Sequence, residues 1–209
     1  KAINLANNFN DVVSYIDSHL DSPILKTRQI ATVAKIISEL AIRVGDEKGD
    51  DEAETFGATT LLVKHLTLLD DSNEVVFDFL GKDSVRYYNK TEFPKEVISN
   101  IREAMSDKEP DDRIFPNIRS TDVNEFLGNK LDGLTAKQFR TAIGSELLAK
   151  SLLRQEIPEN ISAPRKLEYY TEANLDIAKK LKHQKAVSEA YDKSLDNMKE
   201  RLKDYKKQL

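Results

Sequence analysis

The side chains best suited to chemistry here are cations held at fixed points of local structure. Two β-prone runs, Val75 to Leu80 and Val85 to Tyr88, flank Gly81-Lys82-Asp83-Ser84, which reads as a hairpin turn with a lysine at its tip. Most tip lysines are merely solvated, but a cation on a rigid tip is also built to be pushed into a partner. Arg43 falls near the predicted end of a helix, where a cation meets the negative end of the helix dipole; His183 ends another helix in the same way. Arg140 is the misfit. It lies one turn from a predicted helix start, the positive end of the dipole, where arginine is unfavourable by a few tenths of a kcal/mol. A broken local rule marks a candidate functional residue. The chain has no cysteine and its three histidines, His19, His65 and His183, are scattered, so no thiolate or zinc site and no metal catalysis is expected.

The elements that must hold these residues follow from periodicity. Ile3 to Leu20 carries Leu5, Phe9, Val12, Val13, Ile16 and Leu20 at helical spacing, and Ser22-Pro23 ends it. A second helix is predicted from Thr27 to Val44, with Ile30, Val33, Ala34, Ile37, Leu40 and Ala41 on one stripe and Gly45 as its stop. After an acidic loop, Ala58 to Leu68 reads as a strand leading into the hairpin, giving three antiparallel strands in a row. Pro94 opens a helix bearing Val97, Ile98, Ile101 and Met105, Pro110 and Pro116 impose an irregular loop, and Ser120 or Thr121 caps a short helix. Thr135-Ala-Lys-Gln138 is a capping box that fixes the next helix start, with Phe139, Ile143, Leu147 and Leu148 as its buried side. A helix from Arg165 to Lys182 uses Leu167, Tyr170, Ile177 and Leu181. From Val187 to Leu209 the apolar residues recur every three or four positions, as in a coiled-coil seam that needs a partner helix. The fold class is therefore mainly α with a small three-stranded antiparallel sheet, with residues 1–185 as the core and 186–209 as the start of a coiled linker.

With 209 residues and 39% apolar content the chain can bury a sizeable core. No apolar run approaches the roughly 18 residues of a membrane span, and no signal-peptide pattern opens the chain, which begins at Lys1 and reads as a piece of a longer one. The net charge of −4 argues mildly against nucleic-acid binding, yet the acids concentrate in Asp46 to Glu54 and Ser106 to Asp112, while the segment from Lys179 onward is basic.

Five words bear on function: Ala41-Ile-Arg-Val-Gly-Asp-Glu-Lys48, Thr55-Phe-Gly57, Phe79-Leu-Gly-Lys-Asp-Ser-Val-Arg-Tyr-Tyr-Asn89, Gly133-Leu-Thr-Ala-Lys-Gln-Phe-Arg-Thr141 and His183-Gln-Lys-Ala186. In register and in this order they resemble the eukaryotic-type DNA topoisomerases of class IB, across nearly the whole chain. The resemblance implies a helical catalytic domain related to the tyrosine recombinases, with a small antiparallel sheet and a linker of two coiled helices. It implies that Arg43 and Arg140 bind phosphate, that Lys82 reaches into the minor groove, and that His183 completes the catalytic set. Lys48, Thr55 and Lys137 match positions that contact the DNA backbone. It further implies relaxation of duplex DNA through a 3′-phosphotyrosine, with neither metal nor nucleotide cofactor.

The sequence departs from that pattern in two places. The family's nucleophilic tyrosine follows the linker, in a segment with no match here. Tyr191 occupies a seam position and Tyr87 and Tyr88 belong to the hairpin, so the nucleophile and the second linker helix are expected outside this chain. Asp46 stands where the family often has asparagine near the DNA backbone, and an acid there repels phosphate. Two other readings compete: a recombinase joining two duplexes, and a non-catalytic helical interaction module favoured by the acidic balance and the unpaired seam. The expected compartment is the nucleus for a eukaryotic source and the nucleoid or cytoplasm for an archaeal one; no membrane association is expected.

Overall fold

A computed structural model describes residues 2–45, 55–69, 72–81 and 85–181. The expected linker, residues 186–209, lies outside them, as do Asp46, Lys48, Lys82 and His183. The described residues form helices α1 (Ala2–Asn7), α2 (Phe9–Asp17) and α3 (Leu25–Leu40), then a single 3₁₀ turn (Val63–His65) and strands β1 (Leu66–Leu68), β2 (Glu74–Leu80) and β3 (Arg86–Glu92). Helices α4 (Lys95–Met105), α5 (Ser120–Lys130), α6 (Ala136–Arg154) and α7 (Ala163–Lys180) complete the order. This is a mainly helical α+β architecture with one small sheet.

Helix α3 is the central strut. Ala31 through Ser38 are all buried, polar members included, because α2, α4, α5 and α6 pack against it from several sides. A helix enclosed that way must satisfy its polar side chains internally. Lys35, 5% exposed, reaches Asp17 at 2.9 Å and Glu39 at 3.2 Å. Thr32 donates to the Arg28 carbonyl and accepts from Asn100 on α4, whose amide also donates to the Leu20 carbonyl at 3.0 Å. Asn100 thus ties α4 to α3 and to the end of the α2 segment.

The sheet has strand order β1-β2-β3, all antiparallel, with Phe77 opposite Asn89 and Phe79 opposite Tyr87. Along β2 alternate residues Val75, Phe77 and Phe79 are buried, the period-two pattern that places one face on the core. Phe77, Phe115 and Phe139 are the largest fully buried side chains.

Four expectations are corrected. The first helix is broken in two at Asn8, which sits at φ −118°, ψ 18° and donates from its amide to the Asn4 carbonyl at 2.8 Å, a side-chain bond that competes with helix propagation. Helix α3 stops at Leu40, not Val44: Ala41 turns left-handed at φ 51°, a conformation costing a non-glycine residue roughly 1–2 kcal/mol. Arg43 is therefore outside the helix. Ala58 to Thr60 form a turn, and only Leu66–Leu68 is strand, because the Thr59 and Thr60 hydroxyls bond nearby backbone. On α7 the buried residues are Ala173 and Ile177, while Leu167 and Tyr170 stay 63% and 45% exposed: among its described side chains the helix buries only those of its second half.

Asn100→Ala leaves the Leu20 carbonyl and the Thr32 hydroxyl without their buried donor, and is expected to cost about 1–3 kcal/mol in urea unfolding. A loss below about 0.5 kcal/mol contradicts this role.

Candidate active site

Two backbone segments cross almost in contact, and the crossing fixes Arg43. The Ala58 amide donates to the Arg43 carbonyl at 2.8 Å and the Thr59 amide to the Val44 carbonyl at 2.7 Å. The Thr59 hydroxyl lies 3.0 Å from both the Val44 and Gly45 carbonyls. Only glycines fit at the centre. A Cβ on Gly57 would fall 2.5 Å from the Gly45 nitrogen, 2.6 Å from its Cα and 2.9 Å from the Arg43 carbonyl oxygen; Gly45 itself adopts φ +89°. From Gly57 the ladder continues to the hairpin: the Phe56 amide donates to the Leu80 carbonyl at 2.8 Å, and the Gly81 amide closes the turn on the Val85 carbonyl at 2.8 Å. The root of the Lys82 turn and the Arg43 backbone are thus parts of one hydrogen-bonded unit.

The second cation arrives from α6. Its start is fixed by the expected capping box: Gln138 Oε1 accepts the Thr135 amide at 2.6 Å and the Thr135 hydroxyl at 2.5 Å. Asn124 of α5 adds a cap that the sequence did not announce, its Oδ1 accepting the Ala136 amide at 2.9 Å. Phe139, fully buried and edge-on to Phe9 with ring centroids 6.0 Å apart, then locks the rotation of the helix. Arg140 follows, half-buried. Burial pushes its guanidinium pKa down, and the positive charge of Arg43 pushes it further the same way. The fold therefore brings Arg43 and Arg140 close enough to feel each other across a long sequence separation. Arg43 is exposed and Arg140 half-buried, and two like charges within electrostatic reach of one another mark a candidate anion site.

Of the other sequence-derived candidates, Thr55 is half-buried just before the crossing and Lys137 is exposed one turn ahead of Arg140 on α6. Lys48, Lys82 and His183 lie outside the described residues. Residues not singled out by sequence also gather here. Gly45, Thr59, Thr60, Arg113, Ile118, Arg119, Ser120 and Thr121 line an open cavity of 290 Å³ beside the crossing. Sequence offered Ser120 or Thr121 only as a helix cap, whereas the observed N-cap is Arg119, whose amide donates to Asp122 Oδ2 at 2.9 Å. On the hairpin's outer side, Arg86 holds Asp78 with Nε and Nη2 at 2.7 and 2.6 Å, and these bonds keep the Asp78 carboxyl below its usual pKa. Among the described residues no cluster of His, Asp or Glu fits a metal ion, and no helix is long and apolar enough to cross a membrane.

Gly57→Ala forces backbone apart at the crossing and is expected to destabilise the chain by at least about 1–3 kcal/mol in denaturant unfolding. Gly128→Ala, in α5 with its nearest neighbour 3.9 Å away, is the control and should gain about 0.5–1 kcal/mol. Equal effects at the two glycines would remove the crossing from the account.

The family model described as eukaryotic DNA topoisomerase I, catalytic core, matches residues 1–209. DNA topoisomerase 1 of Caenorhabditis elegans is 38% identical over 198 residues, covering 88% of this chain and 24% of that protein. The human DNA topoisomerase 1 is 40% identical over 191 residues, covering 88% of the chain and 25% of the protein. A human mitochondrial DNA topoisomerase I is 38% identical over 190 residues, covering 88% and 31%. The chain spans about a quarter to a third of the length of these relatives. Matched by that family model from end to end, the chain belongs to the eukaryotic DNA topoisomerase I catalytic-core family.

Proposed function

We propose that this chain is the phosphate-activating portion of a class IB DNA topoisomerase, which relaxes supercoiled duplex DNA by transient cleavage of one strand. The reading is carried by Arg140 lying within electrostatic reach of Arg43, whose backbone is hydrogen-bonded to the segment that in turn bonds the end of β2. A phosphodiester under attack gains negative charge on its nonbridging oxygens, and fixed cations aimed there lower the barrier. Arg43, Arg140 and His183 take that role. A tyrosine hydroxyl passes its proton to solvent water as its oxygen attacks phosphorus; the bond to the 5′ oxygen breaks, and the protonated Lys82 gives that oxygen a proton, since an alkoxide is a poor leaving group. The DNA remains joined to the protein through a 3′-phosphotyrosine until the 5′ hydroxyl attacks in reverse. No step draws on a metal or a nucleotide.

The rest of the assignment follows the same reading. The nucleophilic tyrosine comes from a C-terminal segment beyond residue 209, together with a second helix that pairs with the seam of residues 186–209. The core, residues 1–185, has the tyrosine recombinase-like fold, and Lys48, Thr55 and Lys137 contact the DNA backbone. The compartment is one that holds duplex DNA, the nucleus foremost. Alone, the chain binds duplex DNA with an affinity that falls as salt rises, and leaves supercoils intact.

The test is single-turnover cleavage by the full-length protein in a chelator. Arg140→Ala is expected to slow cleavage by about a hundredfold or more, with a much smaller loss of duplex affinity. Lys82→Ala should be similarly slow on ordinary DNA and recover on a substrate whose 5′-bridging oxygen is sulfur, because a thiolate leaves without a proton. Cleavage by the 209-residue chain alone, or no recovery with the sulfur substrate, would refute these roles.

A further inference from the structure

One ring, that of His65, packs against both Phe56 beside the crossing that holds Arg43 and Phe79 on the strand that leads to Lys82. His65 closes the 3₁₀ turn before β1 and is 7% exposed. Its Nδ1 accepts the Leu62 amide at 3.1 Å, so the neutral ring carries its proton on Nε2. That bond ties the imidazole to its own turn. The ring then meets Phe56 nearly edge-on, centroids 4.3 Å apart at 65°, and Phe79 at 6.0 Å. Phe79 stacks on Tyr87 of β3 at 5.0 Å and 29°. A row of four rings therefore runs from the residue before Gly57 through His65 to both strands of the hairpin.

Each ring stands on a backbone that matters to the proposed site. Phe56 precedes Gly57, against which Arg43 is clamped, and its amide bonds Leu80 at the end of β2. Phe79 precedes Leu80. The Phe56 amide bond joins the segments at one point; a ring packed beside it fixes their relative angle as well, because interior side chains have little room to rotate against one another. An apolar ring in place of the imidazole would fill the space and leave the Leu62 amide without its acceptor, freeing the turn to shift.

We propose that His65 is a positioning residue for DNA cleavage: its anchored ring sets the spacing between the Arg43 segment and the root of the Lys82 turn. The inference rests on the function proposed above. Displacements of about an ångström at reacting groups can cost about a hundredfold in rate while leaving overall binding intact. The consequence is a residue that touches no DNA and still governs the chemical step.

The experiment uses the full-length protein, a duplex cleaved in a single turnover, and three variants read for cleavage rate, duplex affinity and thermal midpoint. His65→Leu should slow cleavage about tenfold or more, with duplex affinity within about twofold of wild type. His65→Asn places an amide oxygen where Nδ1 stood and should recover most of the lost rate, which a simple loss of packing volume would not allow. If His65→Leu fails to fold, Phe56→Leu thins the same contact on a half-buried residue and should slow cleavage about threefold at unchanged affinity. A wild-type rate in His65→Leu, an asparagine variant as slow as the leucine one, or rate and affinity falling together overturns the proposal. An Arg140→Ala control that cleaves normally would instead overturn the functional reading beneath it.

Discussion

The structure depends on a place where two backbones come closer than any side chain permits. Gly57 lies against Gly45 and the Arg43 carbonyl, and no Cβ fits between. Three backbone hydrogen bonds, Ala58 to Arg43, Thr59 to Val44 and Phe56 to Leu80, convert that contact into a stiff junction between the end of the central helix and the root of the hairpin. In the proposed function this rigidity serves the chemistry. Groups that stabilise developing charge work only when they are in position before the charge appears, so the scaffold must carry the cost of holding cations together.

That cost is visible at Arg140. The guanidinium is half-buried and meets the positive charge of Arg43, and it sits near the positive end of α6. Each of these effects disfavours an arginine, and the helix that carries it is firmly fixed. The Thr135–Gln138 cap and the Asn124 oxygen satisfy the helix start, and Phe139 anchors its buried side against Phe9. Behind both arginines stands α3, enclosed by four helices and with its polar side chains paired internally. Stability is thus gathered in α3 and spent at the site, as expected where local rules are broken for function.

How much of this was legible follows from how local each determinant is. The cap at Thr135, the hairpin and the three-strand order were readable because each is written within a few residues. The end of α3 was not. Sequence offered Gly45 as the stop, but that glycine serves the crossing, and Ala41 takes the left-handed turn instead. The Ala58 to Leu68 stretch looked like strand because threonine is β-prone, whereas Thr59 and Thr60 spend their hydroxyls on neighbouring backbone. For the site, Arg140 stood out by breaking the dipole rule, and the resemblance of five words supplied its companions. That Arg43 and Arg140 come within electrostatic reach of one another is a long-range property which no periodicity encodes. His65 stayed invisible for the same reason: its partners, Phe56 and Phe79, lie on segments that only the crossing brings together.

The central claim is that Arg43 and Arg140 act on one phosphate as a unit. A double-mutant cycle on the single-turnover cleavage rate of the full-length protein tests it most directly, with Arg43→Ala, Arg140→Ala and the pair. Groups serving the same transition-state charge are not additive: if each single change costs about a hundredfold, the pair should cost about a thousandfold or less. A pair that loses the full product, about ten-thousandfold, would mean that the two arginines act independently and would contradict the account.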